Sequence, residues 1–399
     1  MNNAQIVDLT HRNLVDIYGC LPIALMRGKG SYVEDADGNR YLDFFCGLAV
    51  TNLGHCHPRV VRAIHEQSER LMHVSNVFHT EPTARLAEQL AKRFGNGRVF
   101  FGNSGAEANE AAIKLARRWG HKDGGGRFEI VATLGSFHGR TLATLSATGQ
   151  EKYHQGFQPL VPGFKMAPFD DVEALERSMT NNTVAVMIEP IQGEGGVVVP
   201  KLDYLKRVRD FCDRNNLLLI LDEIQVGIGR TGKFFGYEHT GIKPDIVTLA
   251  KALGGGLPLG AMIAKTEIAS SLTPGSHGTT FGGNPISCAA GLATIEAIDE
   301  ERLLDNTTRV GSYIIERLRE VAKTCDRIKE VRGLGMIIGV VLKHDPRTVV
   351  DACLKERLLV NGTAGNVLRL LPPLNLSRED ADAGLAIIER ALRTAPMPS

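Results

Sequence analysis

The apolar positions in the middle of this chain follow two alternating textures. Short runs of Val, Ile, Leu, Phe and Ala fall at 98–101, 128–133, 184–188, 217–221, 246–249 and 261–264. Runs without polar alternation, bounded by turn residues, mark strands buried on both faces. Between them lie segments of helical period, at 106–119 and 202–214. The alternation predicts an α/β fold built on a doubly wound, mostly parallel sheet. In such a sheet, ligands gather at the carboxyl ends of the strands. Beyond about 295 the texture turns to α+β, with a helix at 306–325 and a Gly-rich strand region at 333–342. The expected division is an N-terminal segment 1–60, a large domain 61–290 and a C-terminal part 291–399. The two ends together would form one smaller domain.

Composition narrows this picture. The chain has 399 residues and a formal net charge of +1. Its charges are interspersed, which gives no footing for nucleic acid or a membrane surface. Residues 1–15 are polar and mixed, and nothing later approaches the roughly 20 apolar residues of a membrane span. The seven cysteines are scattered, with no Cys-x-x-Cys pair. A reduced, cytoplasmic setting is expected.

Four segments at predicted strand ends carry candidate chemistry. Gly102-Asn-Ser-Gly105-Ala106-Glu-Ala-Asn109 follows a strand and opens a helix. Free N–H groups and the helix dipole make such a turn a phosphate site; an ordinary capped turn is the plainer alternative. Asp222 directly follows the run Leu217-Leu-Leu-Ile-Leu221. A carboxylate there needs a partner, and a protonated pyridine nitrogen would serve. Lys251 stands between an apolar strand and Gly254-Gly-Gly256. Burial would leave it neutral and nucleophilic, although taken alone it is more simply a lysine reaching the surface. Ser136-Phe137-His-Gly-Arg140-Thr141 supplies a ring that could stack on a planar group and an arginine that could bind a carboxylate. Together, a phosphate cradle, a ring-nitrogen acid, a stacking ring and a buried amine are the parts that pyridoxal phosphate needs.

Two other segments compete. Gly227-Ile-Gly229-Arg-Thr-Gly232-Lys233 matches a dinucleotide fingerprint and nearly a P-loop. No helix is predicted to follow it, and Phe234 replaces the Ser or Thr that would hold magnesium. Gly54-His-Cys-His-Pro58 has no second ligand cluster, so no metal is expected.

Over residues 18 to about 376 the chain resembles the class III aminotransferases, and within them most closely the acetylornithine branch. The matching motifs are Gly54-His-Cys-His-Pro58, Asn103-Ser-Gly-Ala-Glu-Ala-Asn109, Ser136-Phe-His-Gly-Arg-Thr141, Glu189-Pro-Ile-Gln-Gly-Glu194-Gly195, Asp222-Glu-Ile-Gln225, Lys251, Gly278-Thr-Thr-Phe-Gly-Gly-Asn-Pro285 and Leu368-Arg-Leu-Leu-Pro-Pro373. The resemblance implies an aspartate-aminotransferase-like fold and a pyridoxal phosphate cofactor. It implies that Gly105 and Ala106 bind the phosphate, Phe137 stacks on the ring, Asp222 pairs with the ring nitrogen and Gln225 meets the ring hydroxyl. Lys251 would hold the cofactor covalently and later move the proton. Thr280 would reach the phosphate of a neighbouring subunit, which implies a homodimer with shared sites, and Thr279 would lie beside the substrate.

The resemblance also implies two substrates. Arg140 would hold the carboxylate far from the reacting carbon, and Arg369 the second carboxylate of glutamate. Glu194 would neutralise Arg369 whenever acetylornithine is bound. The implied reaction moves the δ-amine of acetylornithine to 2-oxoglutarate, a step in arginine biosynthesis. Leu48 stands where ornithine-specific members carry a tyrosine, whereas Tyr18 matches an ornithine-type position. Ornithine, succinylornithine, succinyldiaminopimelate and 4-aminobutyrate remain as rival donors. An aminomutase and a non-enzymatic nucleotide-binding protein are further alternatives.

Overall fold

The computed structural model describes residues 1–122 and 125–396. The last three positions of the expected 291–399 segment therefore lie outside the described residues. A seven-stranded sheet forms the centre, in the spatial order Gly97–Gly102, Gly260–Lys265, Ile246–Leu249, Leu218–Asp222, Thr183–Ile188, Glu129–Thr133, Phe164–Ala167. Gly260–Lys265 runs antiparallel to both neighbours, and the remaining pairs are parallel. Its central strands are buried along their whole length. Alternate residues feed two cores: Leu219 and Leu221 on one face, Leu218 and Ile220 on the other. The second face is covered by Gly105–Lys122, whose Ala108, Ala111, Ala112 and Ala116 allow close packing.

Two smaller sheets flank this layer. Leu25–Lys29, Tyr32–Asp35 and Arg40–Asp43 form a meander, and Arg40–Asp43 pairs in parallel with Leu358–Leu359. That pairing draws the two ends of the chain together. The other sheet joins Ile328–Leu334, Ile337–Leu342, Val367–Leu370 and Asn361–Thr363, against the helix Leu303–Ala322, on which Arg378–Thr394 packs in turn. The expected boundaries at 60 and 290 both fall inside helices, Pro58–Arg70 and Pro285–Glu300, which pack on each other.

Two expectations shift. The helix expected at 306–325 runs Leu303–Ala322, because Arg302 takes a left-handed φ of 53° and the helix starts directly after it. The Gly-rich region at 333–342 is the end of a hairpin that starts at Ile328. Its first strand carries Lys329, Glu330 and Arg332, whose charges disguise a half-exposed strand.

Candidate active site

Five parallel strand ends open on one cavity of about 470 Å³. Gly97–Gly102 leads into Asn103, Ser104, Gly105 and Ala106. Glu129–Thr133 leads into Phe137, His138 and Arg140, and Thr183–Ile188 into Glu189 and Glu194. Leu218–Asp222 delivers Asp222, Ile224 and Gln225, and Ile246–Leu249 delivers Lys251. All of these line the cavity wall. Strand topology thus gathers residues that lie up to 148 positions apart, counting from Asn103 to Lys251 (251 − 103).

The helix N-terminus is capped locally. Ser104 Oγ accepts from Glu107 N at 3.2 Å, and Glu107 folds back to accept from Asn103 N at 2.8 Å. This capping box satisfies the flanking donors. The N–H groups of Gly105 and Ala106 are left without an acceptor among the described residues, so the cavity keeps two donors at the positive end of an 18-residue helix. Gly105 lets Ile224 pack close, since a Cβ would stand 2.8 Å from Ile224 Cδ1 and push that side chain aside.

Asp222 is 3% exposed and tightly held. Its Oδ2 accepts from His138 Nδ1 and Asn109 Nδ2, both at 2.8 Å, and its Oδ1 accepts from Ile224 N at 3.0 Å. Thr248 Oγ1 in turn donates to Asn109 Oδ1 at 2.7 Å. Asn109 shares a helix face with Gly105, four positions earlier. Asn109, His138 and Thr248 did not stand out in the sequence, although His138 lies inside a quoted motif and Asn109 ends another. Glu189 accepts from Phe137 N at 3.1 Å, which fixes the ring's backbone. Burial, with the charge of Asp222 adding, pushes the Glu189 carboxyl well above its ordinary range.

Lys251 closes the cavity with a φ of 47°, a strained backbone for a side chain with a Cβ. No hydrogen bond or ion pair holds its amine among the described residues. Burial lowers its pKa, against the opposing charge of Glu194. An unpartnered amine that burial shifts towards its neutral form can act as a nucleophile and a base.

Arg369 is fully buried on Val367–Leu370. Its Nη1 donates to Glu194 Oε1 at 2.6 Å and to Gln225 Oε1 at 3.1 Å, while Nε reaches Asn361 Oδ1 at 3.2 Å. Gln225 Nε2 donates to Glu194 Oε1 at 3.1 Å, so its amide serves both partners of the ion pair. Gly193 allows this packing, since a Cβ there would fall 1.8 Å from Gln225 Oε1. Burial raises the Glu194 pKa, but Arg369, Lys251 and Gln225 outweigh it and hold the carboxyl below its usual range. Arg140 is exposed at the cavity wall, with its guanidinium carbon 4.0 Å from the centre of the Tyr153 ring.

Two expected residues stand apart. Thr279 Oγ1 accepts from Asn103 Nδ2 at 3.3 Å but does not itself line this chain's cavity. Thr280 is exposed and does not line this chain's cavity. The competing Gly-rich turn is an inter-sheet contact: Arg230, buried within it, donates to Met336 O at 3.0 Å, to Pro372 O and to Asn52 Oδ1. His55 pairs with Asp43, and His57 with Glu301.

The cavity suits a planar ring bearing a phosphate. Two open backbone donors face the phosphate end, an aromatic ring and a pinned carboxylate flank the middle, and an unpartnered amine stands beside them. Comparisons with known proteins agree with that fit. The sequence profile of the family Aminotransferase class-III matches residues 17–392. A protein from Methanocaldococcus jannaschii named acetylornithine aminotransferase is 51% identical over 387 residues, covering 96% of each chain. One of the same name from Caldanaerobacter subterraneus is 48% identical, covering 95% of this chain and 97% of its own. Among solved structures, ornithine aminotransferase from Toxoplasma gondii superposes with a TM-score of 0.95 at 35% identity, covering 98% of this chain and 95% of that one. Acetylornithine aminotransferase from Elizabethkingia anophelis gives 0.89 at 32% identity, covering 98% and 99%.

Proposed function

Since the chain belongs to the class III aminotransferases, we propose that it transfers the δ-amine of N2-acetylornithine to 2-oxoglutarate, giving N-acetylglutamate 5-semialdehyde and glutamate. The observation that carries this reading is the contrast between the buried Glu194–Arg369 pair and an Arg140 that no carboxylate caps among the described residues. A donor whose α-amine is acylated has one carboxylate and needs only Arg140. Glutamate has two, and its second needs Arg369. A charge buried without its partner is costly, so the site needs Glu194 in place for the first substrate and moved aside for the second. The relatives at 44–51% identity named acetylornithine aminotransferase support the same choice. The ornithine aminotransferase neighbours share the scaffold at 31–35% identity.

The cofactor is pyridoxal phosphate, which when bound supplies an electron sink for the bond broken at the amine-bearing carbon. Gly105 and Ala106 would hold its phosphate through their N–H groups, and Phe137 would cover the ring. Asp222, fixed by His138 and Asn109, would keep the ring nitrogen protonated, and Gln225 would hold the ring hydroxyl. Lys251 would anchor the cofactor, and its freed amine would take the proton from the amine-bearing carbon of the substrate. Burial, which lowers the Lys251 pKa, favours that base role.

A second copy of the chain completes the site in this reading. Thr280 supplies the partner's phosphate contact, and Thr279 lies beside the substrate. Support comes from an exposed apolar plate next to them: Met72 (64%), Val77 (78%), Phe78 (64%) and Phe281 (59%). Asn76 Nδ2 ties this plate together by donating to Thr279 O and Gly282 O. Patches of this kind mark interfaces. Among the described residues no helix is long and apolar enough to cross a membrane. The seven cysteines are free, which supports the cytoplasm as the setting.

The test is a half-reaction survey. The cofactor-loaded enzyme is mixed singly with acetylornithine, ornithine, succinylornithine and 4-aminobutyrate, and the change in cofactor absorbance is timed. Acetylornithine should react fastest; a faster ornithine would move the assignment to the rival donor.

A further inference from the structure

Arg140 lines the cavity wall, and no carboxylate holds it among the described residues. An exposed arginine on a loop normally samples many rotamers, and fixing it costs side-chain entropy. Here its guanidinium carbon stands over the Tyr153 ring, 4.0 Å from the ring centre, with the Phe137 ring further off at 5.6 Å. A ring face holds the cation without using its in-plane N–H groups. A carboxylate partner would have consumed them.

Tyr153 is itself anchored on both sides of Arg140. It ends the short turn Glu151–Tyr153. Just before that turn, Gln150 Nε2 donates to Ser136 O at 3.1 Å and Gly135 O at 3.3 Å. Just after it, His154 Nε2 reaches Leu145 O at 2.9 Å and Thr148 O at 2.8 Å, closing the end of Leu142–Ala147. The edge of the same tyrosine meets Phe137 at 5.7 Å and an interplanar angle of 79°. Lys152 Nζ, 4.8 Å from the ring centre, adds a second positive charge beside it.

We infer that Tyr153 is a positioning residue for specificity: its ring presents Arg140 with free N–H donors to the far carboxylate of either substrate and spaces that arginine from Phe137. The inference rests on Arg140 as the carboxylate anchor. Its readout is the kcat/KM ratio of acetylornithine to pentylamine, a donor of similar length with no carboxylate. Tyr153→Leu should lower this ratio about tenfold, the worth of one partly desolvated cation–π contact, through KM more than kcat. Tyr153→Phe, which keeps the ring, should retain the wild-type ratio. In an Arg140→Ala background, Tyr153→Leu should change the ratio less than about twofold, because contacting residues couple. Tyr153→Gln gives the same reading if the leucine variant fails to fold. Equal losses for both donors, or the same tenfold loss in the Arg140→Ala background, would overturn the inference. If Arg140→Ala alone leaves the ratio at its wild-type value, the anchor assignment is the part that fails, and this inference falls with it.

Discussion

The two arginines of the cavity solve opposite problems. Arg369 is buried on a strand, and the fold surrounds it with Glu194, Gln225 and Asn361. Arg140 is exposed on a loop and rests on an aromatic face. A buried cation without a counter-charge costs several kcal/mol, and Glu194 supplies that counter-charge to Arg369. An exposed cation carries no such cost and can remain open. The difference teaches how, in the proposed reaction, one site would serve substrates with one and two carboxylates. The permanent demand would fall to the open arginine, and the occasional one to the arginine that Glu194 caps.

The loop that carries the cap is held by its backbone. Thr363 Oγ1 donates to Glu194 O at 2.9 Å, and Arg332 donates to Gly196 O at 2.7 Å. Neither contact uses the Glu194 carboxylate, which is 21% exposed, so the proposed switch would need only that side chain to turn.

The sharpest way to break the comparison is to delete each arginine in turn. Arg140→Ala should lower kcat/KM about 100-fold with both acetylornithine and glutamate, as expected for losing a bidentate charge-assisted contact. Arg369→Ala should cost about as much with glutamate but less than about threefold with acetylornithine. Stopped-flow half-reactions read both; equal losses from Arg369→Ala with the two donors would erase the distinction.

A smaller effect isolates the cap. Glu194→Ala leaves Arg369 unpaired, which favours any substrate that brings its own second carboxylate. The ratio of glutamate to acetylornithine turnover should rise about tenfold, in line with a modest part of a buried pair's energy. An unchanged ratio would show that Glu194 is no switch.

The smallest effect is in pH. The Glu194 carboxyl is held below its usual value in the folded chain, so the stability it contributes is present above the unfolded value of about 4.3 and is lost as pH falls through the lowered one. The donor ratio should therefore stay flat from about pH 8 to about pH 5 and drift towards glutamate only below that. Taking the ratio cancels titrations common to both donors, such as that of Lys251. A ratio that drifts near neutral pH would mean that Glu194 is not held charged by Arg369.

Much of this was legible in the sequence, and the reasons are local. Val, Ile and Leu runs locate strands because burial on both faces leaves no polar positions. Asp222 and Lys251 stand out because a charge next to such a run demands an explanation. Other parts had no local signal. Asn109, Thr248 and Tyr153 are ordinary residue types in ordinary segments, and only packing places the first two behind Asp222 and the third beneath Arg140. The strand Ile328–Leu334 was missed because its exposed charges break the apolar pattern.

Order along the chain determined the core strands, the helix that opens at Gly105 and the residue types able to handle a phosphate, a ring and an amine. Each of these follows from short-range period and composition, which a linear pattern records. The tertiary structure alone decided which arginine is capped and which is open. Glu194 meets Arg369 across 175 residues at 2.6 Å, and nothing near either one in sequence specifies that contact. Burial and counter-charge belong to the folded surface, because they depend on which strand ends the sheet brings together.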